Sequence, residues 1–188
     1  MALQFTPYTP LLVLAGLISS ALAAYGWRLR SAAEARWFAL LTGAAAAWSF
    51  GYAIELSATT LGAVLFWERL VWAAYALVVA GLLLFSLEFA GYESSVTRRT
   101  LPLFFLPSAL TIGMVFTTGT HGLVWSGAEL VDAGGFVALR YGNVGAWYWV
   151  ETAYGFGVCL FAVGLFSRRA LGRRDLYRKQ SLVMATGV

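Results

Sequence analysis

Three carboxylates and one guanidinium, Glu55, Glu68, Glu151 and Arg69, stand at the margins of long apolar runs in a chain of 188 residues. Ionisable groups at such margins usually pair with one another or face an internal cavity, because exposing them to hydrocarbon is costly. A single ion pair, Glu55–Arg69 or Glu151–Arg69, would leave the other carboxylates able to hold a ligand or a cation. Trp67, Trp72, Tyr75, Trp125, Trp147, Tyr148 and Trp149 crowd the same expected level. A small pocket bordered by Glu55, Glu68, Arg69, Trp72, Trp147 and Glu151 is the binding site these residues could build. The competing reading makes them interfacial anchors and structural ion pairs.

Other chemistry finds little footing. His121 is the one histidine, too few for a His-rich metal site, and reads as a loop or interface residue. Cys159, the one cysteine, lies in an apolar run and supports neither a disulfide framework nor a metal site. No GxSxG, HExxH, P-loop or CxxC pattern occurs, and Gly134-Gly135 serves a turn. No catalytic residue, metal ligand or cofactor is expected.

The elements that must position these residues follow from composition. The chain is 60% hydrophobic and 12% charged, against about 25% charged in soluble domains, with a mean hydropathy of +0.74. That describes an integral membrane protein. The net charge of +4 sits in short basic clusters between apolar runs, which mark topology and headgroup contact instead of a nucleic-acid interface.

Five complete spans are expected, at approximately 10–28, 37–56, 65–90, 101–118 and 146–167, with the start of a sixth at 180–188. The third is the clearest: Leu70 to Leu87 are 18 residues without a charge, long enough to cover about 27 Å. Charges lie only at its ends, Glu68 and Arg69 at one and Glu88 at the other, where Glu88 is expected to meet the Arg98-Arg99 turn. In the second, Gly43, Ala47 and Gly51 recur every four residues, a spacing that lets a neighbouring helix approach. Pro107 falls inside the fourth and predicts a kink or an opened backbone ladder. Between the fourth and fifth, residues 119–145 read as a hairpin with Leu123–Val131 as one strand, Asp132 to Gly135 as the turn and Phe136–Tyr141 as the other.

Lys and Arg number three after the first span, two after the third and six after the fifth, eleven against Arg140 alone on the alternate side. By the positive-inside rule the amino terminus, the 57–63 loop and the hairpin lie outside, and the basic clusters lie in the cytoplasm. A cleavable leader is the rival reading for residues 1–27, but the positive charges follow its apolar run instead of preceding it.

Several segments carry a resemblance in their order and spacing: GYAIEL ending the second span, FWERL opening the third, LLLFSLEFAG closing it, HGLVW, and YGNVGAWYWVETAYGFGV leading into the fifth. The chain resembles the amino-terminal seven-helix membrane region of prokaryotic sensor histidine kinases. With the spans and the hairpin read above, the fold class is an all-α, polytopic up-and-down bundle with an extracellular β-hairpin between spans four and five, in keeping with the resemblance. The resemblance implies one sensor domain over 1–188, ending within the sixth helix. It also implies a prokaryotic multi-pass membrane location and signal input to a two-component receptor. The kinase and PAS-type output domains that such regions normally precede are expected in cis but absent from this chain, which is therefore not expected to be an enzyme. The family also implies a homodimer; the bilayer is the other partner, and nucleic acid is not. The rival function is a transporter or channel component, which would need inverted repeats and a midplane polar site.

Overall fold

The computed structural model describes residues 3–172. Five long helices carry the fold: α1 Thr9–Arg28, α2 Ala33–Ser57, α3 Leu61–Phe89, α4 Leu101–His121 and α5 Ala146–Gly172. They run from 20 to 29 residues, about 30–44 Å, enough to cross a hydrocarbon core. Pro10 and Pro102 sit in the first turns of α1 and α4, where a missing N–H leaves no carbonyl without its partner. Gly122, at φ +62°, closes α4 and returns its N–H to the Thr118 carbonyl.

Among the described helices α3 is the interior one. In its most apolar stretch 61% of residues are buried, against 11% in α1. α1 packs on α2, α2 on α3, and α3 also takes α4 and α5. Val79, Leu82 and Phe85 of α3 form one core cluster with Val158, Ala162 and Phe166 of α5. Among the glycines of the helices, the closest approach to a neighbouring helix backbone is at Gly81, where a Cβ would stand 2.9 Å from the Leu41 Cα of α2.

The row Gly43, Ala47, Gly51 does not form a single seam. A Cβ on Gly43 would face Ala23 of α1, one on Gly51 would face Val71 of α3, and Ala47 is exposed. A step of four residues advances about 40° around the helix, so eight residues turn far enough to change neighbours.

The helices begin or end outside the apolar runs in places. α2 starts at Ala33, α3 starts at Leu61 within the expected loop, and α4 continues to His121. Apolarity marks the part in hydrocarbon, and a helix need not stop there. The sixth span expected to start at 180–188 lies outside the described residues.

The hairpin differs from its expected form. Leu123–Val131 is not one strand. β1 Trp125–Ser126 pairs with β4 Asn143–Val144, and β2 Glu129–Asp132 pairs with β3 Val137–Arg140, both antiparallel. Gly127 separates the two ladders at φ +64°, a left-handed conformation that interrupts the regular strand. Opposite it, Gly142 donates its N–H to the Gly127 carbonyl, so the two glycines make the crossing. The hairpin is fixed to the bundle at its root and along one flank. The Thr118 hydroxyl donates to the Trp125 carbonyl at 3.1 Å and accepts the Trp125 N–H at 3.3 Å. Gln4 holds the flank, donating to the Leu56 and Val137 carbonyls and accepting the Val137 N–H.

Candidate functional site

Glu55 comes from the last turn of α2 and Glu68 from the second turn of α3, at the hairpin end of the bundle. Both are buried, at 5% and 7% exposure, and their side chains lie within hydrogen-bonding reach of each other. Glu68 Oε1 also accepts the Trp72 Nε1–H at 2.9 Å and the Tyr141 hydroxyl, which descends from the hairpin. Helix periodicity explains the first contact, since Trp72 follows Glu68 by four residues and stands over it on one face. The hairpin's closing segment supplies the second.

Arg69 joins neither Glu55 nor Glu151. Among the described residues it makes no ion pair, and its Nε is buried without a hydrogen-bond partner. One residue on from Glu68, it points about 100° around α3. There it lines a groove of about 610 Å³ with Thr118, His121, Trp125 and Ser126. The ion pair of the hairpin is Arg140–Glu129, on its surface. His121 accepts the Leu123 N–H on Nδ1 at 2.9 Å and lies 3.1 Å from the Thr117 hydroxyl through Nε2. In that arrangement the histidine fastens the turn that leads from α4 into the hairpin.

Glu151 belongs to a deeper layer. Its Oε2 accepts the Thr111 hydroxyl at 2.7 Å, and Thr111 in turn accepts the Trp147 Nε1–H at 3.2 Å. Three residues back along α4, Ser108 donates to the Ala76 carbonyl of α3. Glu151 therefore stands beside Trp72–Ala76 of α3, about one to two helical turns below Glu68. The four charged residues do not share one depth, and the reason lies in the hairpin. Its root occupies the mouth of the bundle on the α5 side, and Trp147 gives its N–H to the Leu123 carbonyl, so α5 begins low.

Trp72 joins the layers. Its Nε1–H goes to Glu68, while its ring meets Trp125, Tyr148 and Tyr75 at centroid separations of 5.9, 5.5 and 6.0 Å. A second cavity of about 220 Å³ opens beside it, lined by Trp48, Tyr75 and Tyr148 among others. Glu55, Glu68 and Trp72 thus make one connected group, and Trp147, Thr111 and Glu151 another. Trp72 and Trp147 both pack against the cluster of Val115, Val124 and Trp125, while Arg69 faces the adjacent groove.

Sequence reasoning missed Tyr141, Thr111 and Gln4. In sequence Tyr141 reads as strand material, and no spacing rule places a loop tyrosine over a helix carboxylate. Thr111 in mid-span is a signal that was there to find, because a hydroxyl at that depth needs a partner. At the opposite end, Glu88 accepts Trp37 Nε1–H at 3.3 Å instead of meeting Arg98-Arg99. Trp37 opens the apolar part of α2, and α2 reaches that level before the Arg98-Arg99 turn does.

Among the described residues no group of three or more His, Cys, Asp or Glu could hold a metal ion. Five membrane-length apolar helices with polar groups gathered toward one end define a multi-pass membrane protein. The chain belongs to the family described as the N-terminal 7TM region of histidine kinase, whose match covers residues 11–188. It is thus a membrane sensor region of the histidine kinase type. No curated protein and no solved structure matches it.

Proposed function

We propose that this region is the signal-input domain of a two-component receptor, with the amino terminus and hairpin outside and the arginine-rich connections in the cytoplasm. An event at the hairpin end shifts α3 against α2, and the shift passes to a cytoplasmic kinase or PAS-type output domain. The pocket residues would be Glu55, Glu68, Arg69, Trp72, Trp147 and Glu151.

The observation that carries this reading is the placement of α3. Among the described helices it is the interior one, and it holds a buried carboxylate contact at each end: Glu68 with Tyr141 and Trp72 toward the hairpin, Glu88 with Trp37 toward the arginines. Packed interfaces of this kind switch between discrete arrangements instead of deforming continuously. A displacement at the hairpin therefore reaches the other end through one rigid element. Arg168 donates to the Tyr92 hydroxyl just beyond α3, and the Arg169 guanidinium lies over the Phe89 ring, so that end is also tied to α5.

The test is Glu68→Gln and Arg69→Ala in the intact receptor, read by autophosphorylation of its kinase. Either variant is expected to change the basal or stimulated level several-fold at unchanged membrane abundance. Unchanged phosphorylation in both would sink the input-site reading.

A further inference from the structure

The contact between Glu55 and Glu68 is one hydrogen short. The two side chains face each other from α2 and α3, both more than nine-tenths buried. Ionised carboxylates only accept hydrogen bonds. Glu68 Oε1 has its donors in Trp72 and Tyr141, but Glu55 Oε2 is buried with no partner at all. Two unneutralised carboxylates at this separation repel, and their desolvation has nothing to offset it.

Among the described residues, the groups facing the pair supply no balancing charge. From α2 the neighbouring titratable group is Tyr52, which feels both carboxylates and, more weakly, Tyr8 of the amino-terminal segment. From α3 it is Trp72 that faces the pair, because Arg69 turns away into the groove beside α4. From the hairpin it is Tyr141, while Arg140 is held on the exposed surface by Glu129. Every one of the facing groups is neutral or acidic.

We infer that Glu55 and Glu68 form a site for one small cation, a proton or an alkali-metal ion, held between α2 and α3 beneath the Tyr141 hydroxyl. The inference rests on the input site proposed above and names the chemistry that site would bind. A proton taken from water onto one carboxylate oxygen bridges to the other carboxylate; an alkali ion is coordinated by oxygens of both. In either case nothing is oxidised or reduced. Occupied, the site holds the ends of α2 and α3 together. Emptied, it forces two buried anions apart and disturbs the Tyr141 contact, so the hairpin and the helix pair respond to the same event.

Infrared difference spectroscopy on the full-length protein in lipid nanodiscs reads the site directly. Spectra are compared between acidic and alkaline buffers with choline as the only other cation. Sodium or potassium is then added at constant ionic strength. A protonated-carboxyl C=O band that disappears on alkalinisation, and that both Glu55→Gln and Glu68→Gln abolish, supports the proton. A carboxylate-stretch shift with sodium or potassium that Glu55→Gln abolishes supports the metal ion. Tyr141→Phe keeps both carboxylates and is expected to move the midpoint of either response, which guards against variants that fail to fold. A wild-type spectrum showing neither response overturns the site. So does a band that survives both glutamine variants and vanishes only in Glu151→Gln or Glu88→Gln. Loss of signalling in Glu55→Gln with no such response would sink the cation site alone; a response without any effect on signalling would sink the input reading alone.

Discussion

Asp132 shows how a single exposed side chain shapes the hairpin. Its Oδ1 accepts the N–H groups of Gly134 and Gly135 at 2.9 and 3.1 Å, and these bonds hold its carboxyl below the ordinary value of 3.8. The folded-state value is the lower one, so the stabilisation is present above the unfolded value and lost as pH falls through the folded one. The turn should therefore be indifferent to pH from neutrality down to the ordinary carboxylate range and open only below it. Amide exchange at Gly134 and Gly135 checks this, with Asp132→Ala expected to give the fast-exchanging state at neutral pH. Thr118 makes the comparable contact at the hairpin root, where its hydroxyl serves both backbone groups of Trp125. Thr118→Val keeps the shape and leaves a buried carbonyl and N–H unpaired, a cost of about 1–3 kcal/mol. The expected result is faster exchange at Val124 and Trp125 with α3 unchanged; equal exchange would show that the root is held by packing alone. Asp132 was legible in the sequence, since an Asp before two glycines is turn chemistry. Thr118 was not, because its partner is a backbone that the chain reaches only after α4 has ended.

At the scale of elements, the helices were legible and their mutual approach was not. Charge-free runs bounded by Glu, Arg and Trp give the presence of the five described helices, because the bilayer forbids charges elsewhere. Which small residues touch depends on helix rotation, which four-residue spacing does not settle. Gly43 and Gly51 face different neighbours, whereas Gly81, which belongs to no such row, takes the tight crossing. The hairpin failed as a single strand for a related reason. Gly127 interrupts it, and a glycine in a strand pattern marks a break as readily as a bulge. Gly81 and Gly113 make a matched test. A Cβ at Gly81 would meet the Leu41 backbone at 2.9 Å, which cannot move aside as a flexible side chain can, while one at Gly113 meets nothing within 4 Å. Gly81→Ala is expected to destabilise the bundle by about 1–3 kcal/mol, as overpacking does. Gly113→Ala should be neutral or stabilising by up to about 1 kcal/mol through helix propensity. Denaturation in detergent micelles compares the two, and equal midpoints would remove Gly81 from the α2–α3 contact.

For the whole molecule, the two ends are chemically unlike, and that asymmetry carries the proposed orientation. Arg28, Arg98 and Arg99 flank the same end as the Trp37–Glu88 contact, and Arg168 reaches Tyr92 there. The hairpin end holds Glu55, Glu68 and the aromatic rings around Trp72, with Arg140 held by Glu129. Arginine clusters of this kind stay on the cytoplasmic side because their translocation is unfavourable and the anionic inner leaflet attracts them. Single cysteines test it in a Cys159→Ala background, which removes the one native thiol. Ala133→Cys lies in the hairpin turn and Ser94→Cys in the short helix Glu93–Ser95, both at exposed positions. A membrane-impermeant maleimide added to intact cells is expected to label Cys at 133 and to leave 94 unlabelled until the membrane is opened. The reverse pattern would place the hairpin in the cytoplasm. The Glu55–Glu68 site would then read the composition of the cell interior, and a signal from it would not have to cross the membrane along α3.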